Sequence, residues 1–445
     1  MSLKKKAFNS ARSMYMGMAM RHPSLRKIRY TRWNRLGKKY DARSAAAKTN
    51  PKSIVFECFN GQQFTCSPRA IYEFVINDPR FDDWTLYWSF KEDILPAMQE
   101  EPELQRAYLV ARGSDAYYQA FATSKYWVQN NRVPEYVTPR EDQVYVQCWH
   151  GTPLKKLGAD VAQTSTGGAL NSASELAERF RMDSAKWTYL LSPSAYTSQH
   201  LADAFSLPQE RRASTVLEYG YPRNDFIRRT LDAEDAETKV NAIKQHLGLP
   251  GDKKILLYAP TFRDDQYDPE VGYVLDTVLN FDELLQGIGD EWAVIVRLHY
   301  YVANQLDLSR WQGRVFDLSK APDINQLYVC ADCIVTDYSS VFFDYANTGR
   351  PVMFYWPDFD HYARELHGLY LDPSELPGPK CTDTKQVVEQ INNLGEWETV
   401  YGPTYADFRK RFCPNDDGHA AQRVAEKVLL DVEPSSNVKT SKNME

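Results

Sequence analysis

Residues 144–158 read VYVQCWHGTPLKKLG. An apolar run rich in strand-forming residues brings Trp149 and His150 into a Gly-Thr-Pro turn, and two lysines follow. One interpretation is that a strand simply ends here, with Gly151 and Pro153 as turn residues and the lysines at the start of a solvated helix. The alternative is that the turn carries a functional histidine. That alternative gains weight if other strand ends carry matching chemistry.

The surrounding sequence predicts an α/β protein. From residue 53 onward, short β-rich runs alternate with longer helical patterns, and strands joined by helical crossovers form parallel sheets. Two such series in 445 residues predict two doubly wound domains. The predicted strands are 53–58, 85–90, 125–129, 143–148, 188–192, 214–218, 254–258, 292–298, 314–318, 333–336 and 352–355.

We place the boundary between the two domains in the charged stretch 228–239. The predicted units are a basic segment over 1–48, a Rossmann-like domain over 49–232, a second Rossmann-like domain over 233–432 and a disordered tail over 433–445.

Charge is distributed unevenly along the chain. Residues 1–43 carry 13 Lys or Arg and one acid, whereas the whole chain has a net charge of -6, so an acidic body follows a basic arm. Phe8, Tyr15 and Met18 recur at helical spacing in the arm, as expected of a basic amphipathic helix on an anionic membrane surface. A solvated tail remains an alternative. The apolar residues of the arm disfavour a nucleic-acid partner, and no apolar run approaches the roughly 20 residues of a spanning helix.

The cysteines indicate a reducing compartment. Seven are scattered through the chain, and Cys330 and Cys333 form a C-x-x-C with no second pair or nearby histidines to complete a zinc site. We predict no metal and no cofactor.

Ligands of open α/β sheets bind at the carboxyl ends of strands. His150 closes the run VYVQCW, and His299 closes AVIVRL in the second half of the chain. In IVTDYSSVFFDYANTG (334–349), a strand ends in Asp337, and Ser339 or Ser340 then occupies the expected N-cap of a helix. The N-terminus of that helix can bind phosphate, although an ordinary capping serine gives the same pattern.

Two further stretches place basic or polar residues beside strand ends. LLYAPTFRDD (256–265) offers Arg263, whose planar fork suits phosphate oxygens. GYPRNDF (220–226) places Arg223, Asn224 and Asp225 beside the predicted hinge. Each has an alternative interpretation as surface charge.

Several elements together resemble a known family. They are FECFNGQQFTCSPRAIYE (56–73), KYWVQNNRVP (125–134), QCWHGTPLKKLG (147–158), LLSPSAYTSQHLADAF (191–205), GYPRND (220–225), YAPTFRDD (258–265), VRLHY (296–300) and DINQLYVCADCIVTDYSSVFFDYANTGRPVMFY (323–355). In this order they resemble the CDP-glycerol glycerophosphotransferase family, which builds teichoic acid and capsule polymers.

The resemblance implies a GT-B fold, with an acceptor-binding first domain and a second domain that binds a CDP-polyol. It also implies transfer of a polyol phosphate from CDP-glycerol to a hydroxyl of a lipid-linked glycan or polymer, at the cytoplasmic face of the cell membrane, with release of CMP. A helix near 405–429 is expected to cross back onto the first domain. A CDP-ribitol donor, a nucleotide-sugar glycosyltransferase and a non-catalytic scaffold are the alternatives, and the two histidines disfavour the scaffold.

The resemblance assigns the role of general base to His150, and it implies that His299 binds pyrophosphate with the helix N-terminus at the two serines. Asp344 lies one helical turn after Ser340 and is placed to face a ribose, while Asp323 fits an N-cap or a ligand equally well. Trp149 is expected either to stack on substrate or to pack beneath the loop. The predicted catalytic residues are His150 and His299, and the predicted substrate-binding residues are Gly151, Thr152, Lys155, Arg223, Asn224, Asp225, Arg263, Asp323, Asp337, Ser339, Ser340 and Asp344.

Overall fold

The computed structural model describes residues 23–161, 173–261, 267–268, 272–273, 279–298, 308–359 and 368–432. Its first half is a seven-stranded parallel sheet with the order β3-β2-β1-β4-β5-β6-β7. The strands are β1 Asn50–Glu57, β2 Thr85–Phe90, β3 Tyr108–Ala111, β4 Ser124–Gln129, β5 Val144–Gln147, β6 Tyr189–Leu191 and β7 Val216–Leu217. This is the doubly wound Rossmann order, and its direction reverses between β1 and β4.

The second half holds a six-stranded parallel sheet with the order β12-β11-β8-β13-β14-β15. The strands are β8 Lys254–Ala259, β11 Trp292–Val296, β12 Val315–Asp317, β13 Cys333–Thr336, β14 Val352–Tyr355 and β15 Lys380–Cys381, and β9 Tyr267–Asp268 pairs with β10 Gly272–Tyr273 in a separate antiparallel ribbon. Every residue of β11 and β13 is buried, as expected of parallel strands covered on both faces.

Helices connect the strands and cover the sheets. The described helices are Pro23–Ala46, Cys66–Asn77, Leu95–Gln99, Asp115–Thr123, Ala173–Ser184, Ala195–Ala204, Gln209–Thr215, Asp225–Leu231, Ala236–His246, Phe281–Ile288, Ile324–Cys330, Val341–Tyr345, Thr384–Asn392, Trp397–Phe412 and Ala420–Val424, with a π-helical turn at Ala425–Leu429. Short 3-10 turns lie at Phe59–Gly61, Pro79–Phe81, Pro102–Arg106, Gly158–Asp160, Pro222–Asn224, Ser309–Trp311, Ala346–Thr348, Pro373–Glu375 and Leu394–Glu396.

The C-terminal segment returns to the first sheet, as the sequence predicts. Val424 and Leu429 pack in the same buried cluster as Phe56 and Trp88 of β1 and β2. The two halves of the chain are therefore joined twice, once through the segment around residue 232 and once through this returning helix.

The N-terminal helix Pro23–Ala46 lies against the first domain. Tyr40 is 2% exposed and packs in the cluster that contains Tyr117 and Phe121 of the helix Asp115–Thr123. Arg35, Lys38 and Lys39 on this helix are exposed. The predicted amphipathic helix around Phe8–Ala19 lies outside the described residues. Within the described ranges, no helix combines the length and apolar character needed to cross a bilayer.

Candidate active site

The chain turns sharply after β5 to present His150. Trp149 adopts a left-handed backbone conformation (φ 49°), and its backbone N–H donates to Oε1 of Gln147 at 2.9 Å. Such a conformation costs a non-glycine residue about 1–3 kcal/mol, and residues of this kind concentrate at functional sites. Trp149 is 7% exposed and meets the Phe205 ring edge-on at 4.9 Å, so it packs beneath the loop.

The imidazole of His150 rests on the Trp149 ring, with ring centroids 4.2 Å apart and an interplanar angle of 22°. The Phe59 ring lies 5.8 Å away, and the residue keeps an exposed side. Packing of the ring against the surrounding protein removes water from it and lowers the pKa of His150 to about 4, and the positive charges of Arg223 and Arg132 act in the same direction. The ring is therefore neutral at pH 7 and able to accept a proton.

Gly151 brings this turn against the second half of the chain. A Cβ atom added at Gly151 would lie 3.1 Å from Oγ of Ser340. Ser340 occupies the N-cap position of the helix Val341–Tyr345, as predicted, but its side chain makes no capping hydrogen bond. The turn that carries the predicted base His150 therefore lies against Ser340, the predicted phosphate-binding residue.

We expect Gly151→Val to lower kcat by about 10–100-fold, since a displacement of about 1 Å at a reacting centre can cost about 100-fold. The branched side chain must push Ser340 away from the turn. Gly251→Val is the matched control, because a Cβ atom at Gly251 meets no atom within 4 Å. Steady-state kinetics of both variants test the contact, and equal rates in the two would show that the Gly151–Ser340 approach is unimportant.

Thr152 and Lys155 continue the turn along the interface between the halves. Thr152 is 2% exposed, and its Oγ1 accepts a hydrogen bond from Oγ1 of Thr197 at 3.4 Å. Lys155 forms an antiparallel bridge with Leu369, and the backbone N–H of Tyr370 donates to the carbonyl of Leu154 at 2.9 Å. These backbone contacts fix the segment that follows His150 onto the second domain.

Arg223 and Asn224, which the sequence placed beside the hinge, bind Asp344, which the sequence placed facing a ribose. Nη2 and Nε of Arg223 donate to the two carboxylate oxygens of Asp344 at 2.8 and 3.2 Å. Nδ2 of Asn224 donates to Oδ1 of Asp344 at 3.1 Å. The guanidinium also lies 4.0 Å from the centre of the Tyr221 ring. This buried cluster ties the segment after β7 to the helix that follows β13.

Asp416 extends the cluster into the returning C-terminal segment. Its carboxylate accepts from Nδ2 of Asn224 and from the backbone N–H of Tyr221, both at 2.7 Å, and burial raises its pKa to about 6. Asp225 accepts from the backbone N–H groups of Ala420 and Ala421 at 2.9 and 2.8 Å. The predicted hinge residue Asp225 therefore caps the returning helix.

Three more predicted residues, Asp323, Asp337 and Ser339, lie in loops and caps of the second half. Asp323 caps the helix Ile324–Cys330 by accepting from the backbone N–H of Asn325 at 2.9 Å, which confirms the N-cap interpretation. Oδ1 of Asp337 accepts from the backbone N–H of Thr261 at 2.8 Å, and so links the loops after β13 and β8. Ser339 is partly exposed beside Ser340. His299 and Arg263 lie outside the described residues.

The loop after β1 lies beside His150 and contains none of the predicted site residues. Phe59, Asn60 and Cys66 all have positive φ, at 46°, 57° and 63°. The buried carboxylate of Glu57 receives hydrogen bonds from Oγ of Ser89 at 2.6 Å and Nε of Arg112 at 3.2 Å. The available signal was positional, since FNG and QNN each follow a strand that adjoins the point where the sheet order reverses.

Two Rossmann-like domains, with the turn that carries His150 packed through Gly151 against Ser340 of the other domain, are the architecture of a protein of the GT-B type. Residues 40–430 match the family described as CDP-Glycerol:Poly(glycerophosphate) glycerophosphotransferase, and the chain belongs to that family. The predicted fold class and family are thereby confirmed.

Relatives of known name support this membership. The chain is 35% identical over 417 residues to a teichoic acid poly(glycerol phosphate) polymerase of Staphylococcus epidermidis, which covers 93% of this chain and 55% of the relative. It is also 35% identical to a protein of the same name from Bacillus spizizenii, over 85% of this chain and 92% of the relative. The chain therefore spans about half the length of the first of these relatives and most of the second.

A solved structure agrees with the architecture described above. The structure of the wall teichoic acid polymerase TagF has a TM-score of 0.79 to this chain at 33% identity, and covers 93% of this chain and 98% of that one. A variant of that polymerase soaked with CDPG has a TM-score of 0.78.

Proposed function

We propose that the protein transfers glycerol phosphate from CDP-glycerol to a hydroxyl of a polymer acceptor in teichoic acid or capsule-type polymer synthesis, and releases CMP. The observation that carries the proposal is the approach of the His150–Gly151 turn to Ser340 across the two domains. A base on one side and a phosphate seat on the other are what this transfer requires.

In the proposed reaction the acceptor oxygen attacks the β-phosphorus of CDP-glycerol. A new P–O bond forms, the bond from that phosphorus to the bridging oxygen breaks, and CMP departs with the electron pair. The acceptor proton passes to His150, whose imidazole is neutral at pH 7 because its pKa is lowered. Most of the rate enhancement is expected from positioning and charge stabilisation, as in other phosphoryl transfers.

The other predicted residues have supporting roles in this proposal. His299, Ser339 and Ser340 bind the pyrophosphate and offset the charge that grows on departing CMP, and Lys155 and Arg263 add positive charge. The buried ion pair of Arg223 and Asp344 supports this proposal by holding the two halves in register. The helix cap of Asp323 and the loop link of Asp337 order the strand ends of the second half.

The acceptor is proposed to be lipid-linked, with the protein attached peripherally to the cytoplasmic face of the membrane. Residues 1–43 carry 13 basic side chains, and three of them, Arg35, Lys38 and Lys39, are exposed on the helix Pro23–Ala46. Each cation near an anionic bilayer contributes about 1 kcal/mol of binding free energy. Co-sedimentation with phosphatidylserine vesicles at low and high salt tests the attachment, and equal binding to neutral vesicles would contradict it.

The donor is tested by incubating the protein and a synthetic lipid acceptor with CDP-glycerol, CDP-ribitol or a panel of UDP-sugars. We expect CMP release and a product mass increased by glycerol phosphate with CDP-glycerol. A ribitol phosphate increment would favour the ribitol-transferring alternative. Release of UDP with a sugar increment would instead assign the protein to nucleotide-sugar glycosyltransferases.

A further inference from the structure

A cavity of about 390 Å³ opens where the order of the first sheet reverses. Asn60, three residues beyond the end of β1, lines one side, and Asn131 and Arg132, which follow β4, line another. The reversal point of a doubly wound sheet is where such folds bind ligands. None of these residues is among the predicted site residues.

Guanidinium groups converge on this cavity. Arg132 and Arg179 both line it, and the charge of Arg179 and the burial of Arg132 both act to lower the pKa of Arg132. Nε of Arg132 lies 2.7 Å from Asp183, and Nε of Arg179 lies 3.4 Å from Glu135. Both carboxylates also line the cavity and hold the two guanidinium groups in place. With Arg112 the lining carries three guanidinium groups against two carboxylates, and this excess of positive charge favours an anionic ligand.

A third arginine of the lining, Arg112, is held by hydrogen bonds to Glu57 and Asn60. Nε of Arg112 donates to the buried carboxylate of Glu57 at 3.2 Å, and Nη2 donates to Oδ1 of Asn60 at 3.2 Å. Arginine presents five N–H donors in a rigid fork, a geometry that suits the oxygens of a phosphate. Arg112 thus adds a guanidinium group in a fixed orientation, with N–H groups for donation, to the lining of the cavity.

The N-terminal helix Pro23–Ala46 supplies an aromatic wall. Trp33 on this helix and Tyr136 meet edge-on, with ring centroids 6.4 Å apart. A Cβ atom at Gly37 would lie 3.3 Å from Cβ of Tyr136, so the glycine permits the close approach of the helix. The aromatic rings suit the apolar C–H groups of an extended ligand, and the amides and guanidinium groups suit its charged oxygens.

The cavity adjoins the proposed base. Asn60 follows Phe59, whose ring lies 5.8 Å from the ring of His150. We infer that this cavity binds a phosphate-bearing polyol segment of the acceptor, behind the hydroxyl that His150 deprotonates. This inference rests on the proposed function. It adds that the cavity binds the acceptor rather than the nucleotide donor.

The test compares two arginines of the helix Ala173–Ser184. Arg179 lines the cavity, whereas Arg181 is exposed, pairs with Glu178 and does not line it. Binding of a synthetic glycerol phosphate trimer, and of its uncharged methylphosphonate analogue, is measured by calorimetry on the full chain without donor. We expect Arg179→Ala to weaken trimer binding about 10-fold, as for loss of a charge-assisted hydrogen bond, and to leave analogue binding unchanged. Arg181→Ala should match wild type with both probes.

Equal trimer affinity in the two variants, or the same loss with the trimer and its analogue, would overturn the assignment. The double variant Arg132→Met with Asp183→Leu removes the other ion pair without leaving one charge alone, and a thermal melt checks that it folds. It is expected to show the same selective loss as Arg179→Ala. If binding behaves as expected while CDP-glycerol yields no CMP, the cavity assignment stands and the proposed donor reaction fails.

Discussion

Replacement of His150 by Asn is expected to lower kcat for CMP release from CDP-glycerol by about 10²–10⁴-fold, the usual contribution of a general base. Asparagine keeps a polar side chain of similar size but cannot accept the acceptor proton. The stacking of the ring on Trp149 and its proximity to Phe59 indicate a preset orientation, so the loss should fall on kcat more than on the KM for CDP-glycerol.

His246→Asn is the control for this replacement. His246 is an exposed residue at the end of the helix Ala236–His246, and its loss should leave the rate unchanged. The measurement is single-turnover release of CMP at pH 7 with saturating acceptor. A His150→Asn rate within a few-fold of the control would remove His150 from the role of base.

The order of strands and helices was predictable from sequence because the patterns that indicate each element are local. Apolar runs such as β8 and β11 of the second sheet, and their alternation with helical patterns, predict parallel strands without any long-range information. The edge strand β3 was missed because it is only four residues long and leaves Tyr108 66% exposed, so it lacks an apolar signature. The predicted strand 214–218 shortens to Val216–Leu217 because the helix Gln209–Thr215 occupies its start.

The position of a candidate site residue was predictable where a single strand end carries it, as for His150 after β5. A residue's role was not predictable where it depends on a partner far along the chain. Arg223 and Asp344 are 121 residues apart, and nothing in either local sequence shows that they form an ion pair. Trp149 left two interpretations open until its contact with Phe205 assigned it to the core beneath the loop.

The ion pair of Arg223 and Asp344 gives the second large expected effect, a loss of stability. Asp344→Ala is expected to lower the free energy of unfolding by about 3–5 kcal/mol, because it leaves the guanidinium of Arg223 buried without its counter-charge. Arg223 is 5% exposed, and Asp344 also holds Nδ2 of Asn224. The loss is measured by urea unfolding followed by circular dichroism.

The matched control is Asp290→Ala. Asp290 forms an ion pair with Arg314 at 2.7 Å, but its side chain is 94% exposed. Its loss should lower the free energy of unfolding by less than about 1 kcal/mol. The double replacement Arg223→Leu with Asp344→Leu should cost less than Asp344→Ala, since no buried charge then remains alone. If Asp344→Ala instead proves as mild as Asp290→Ala but raises the KM for CDP-glycerol, Asp344 binds the donor, as the sequence alone predicted. Stability and kinetics of the same variant thus separate a carboxylate that holds two domains together from one that holds a ribose.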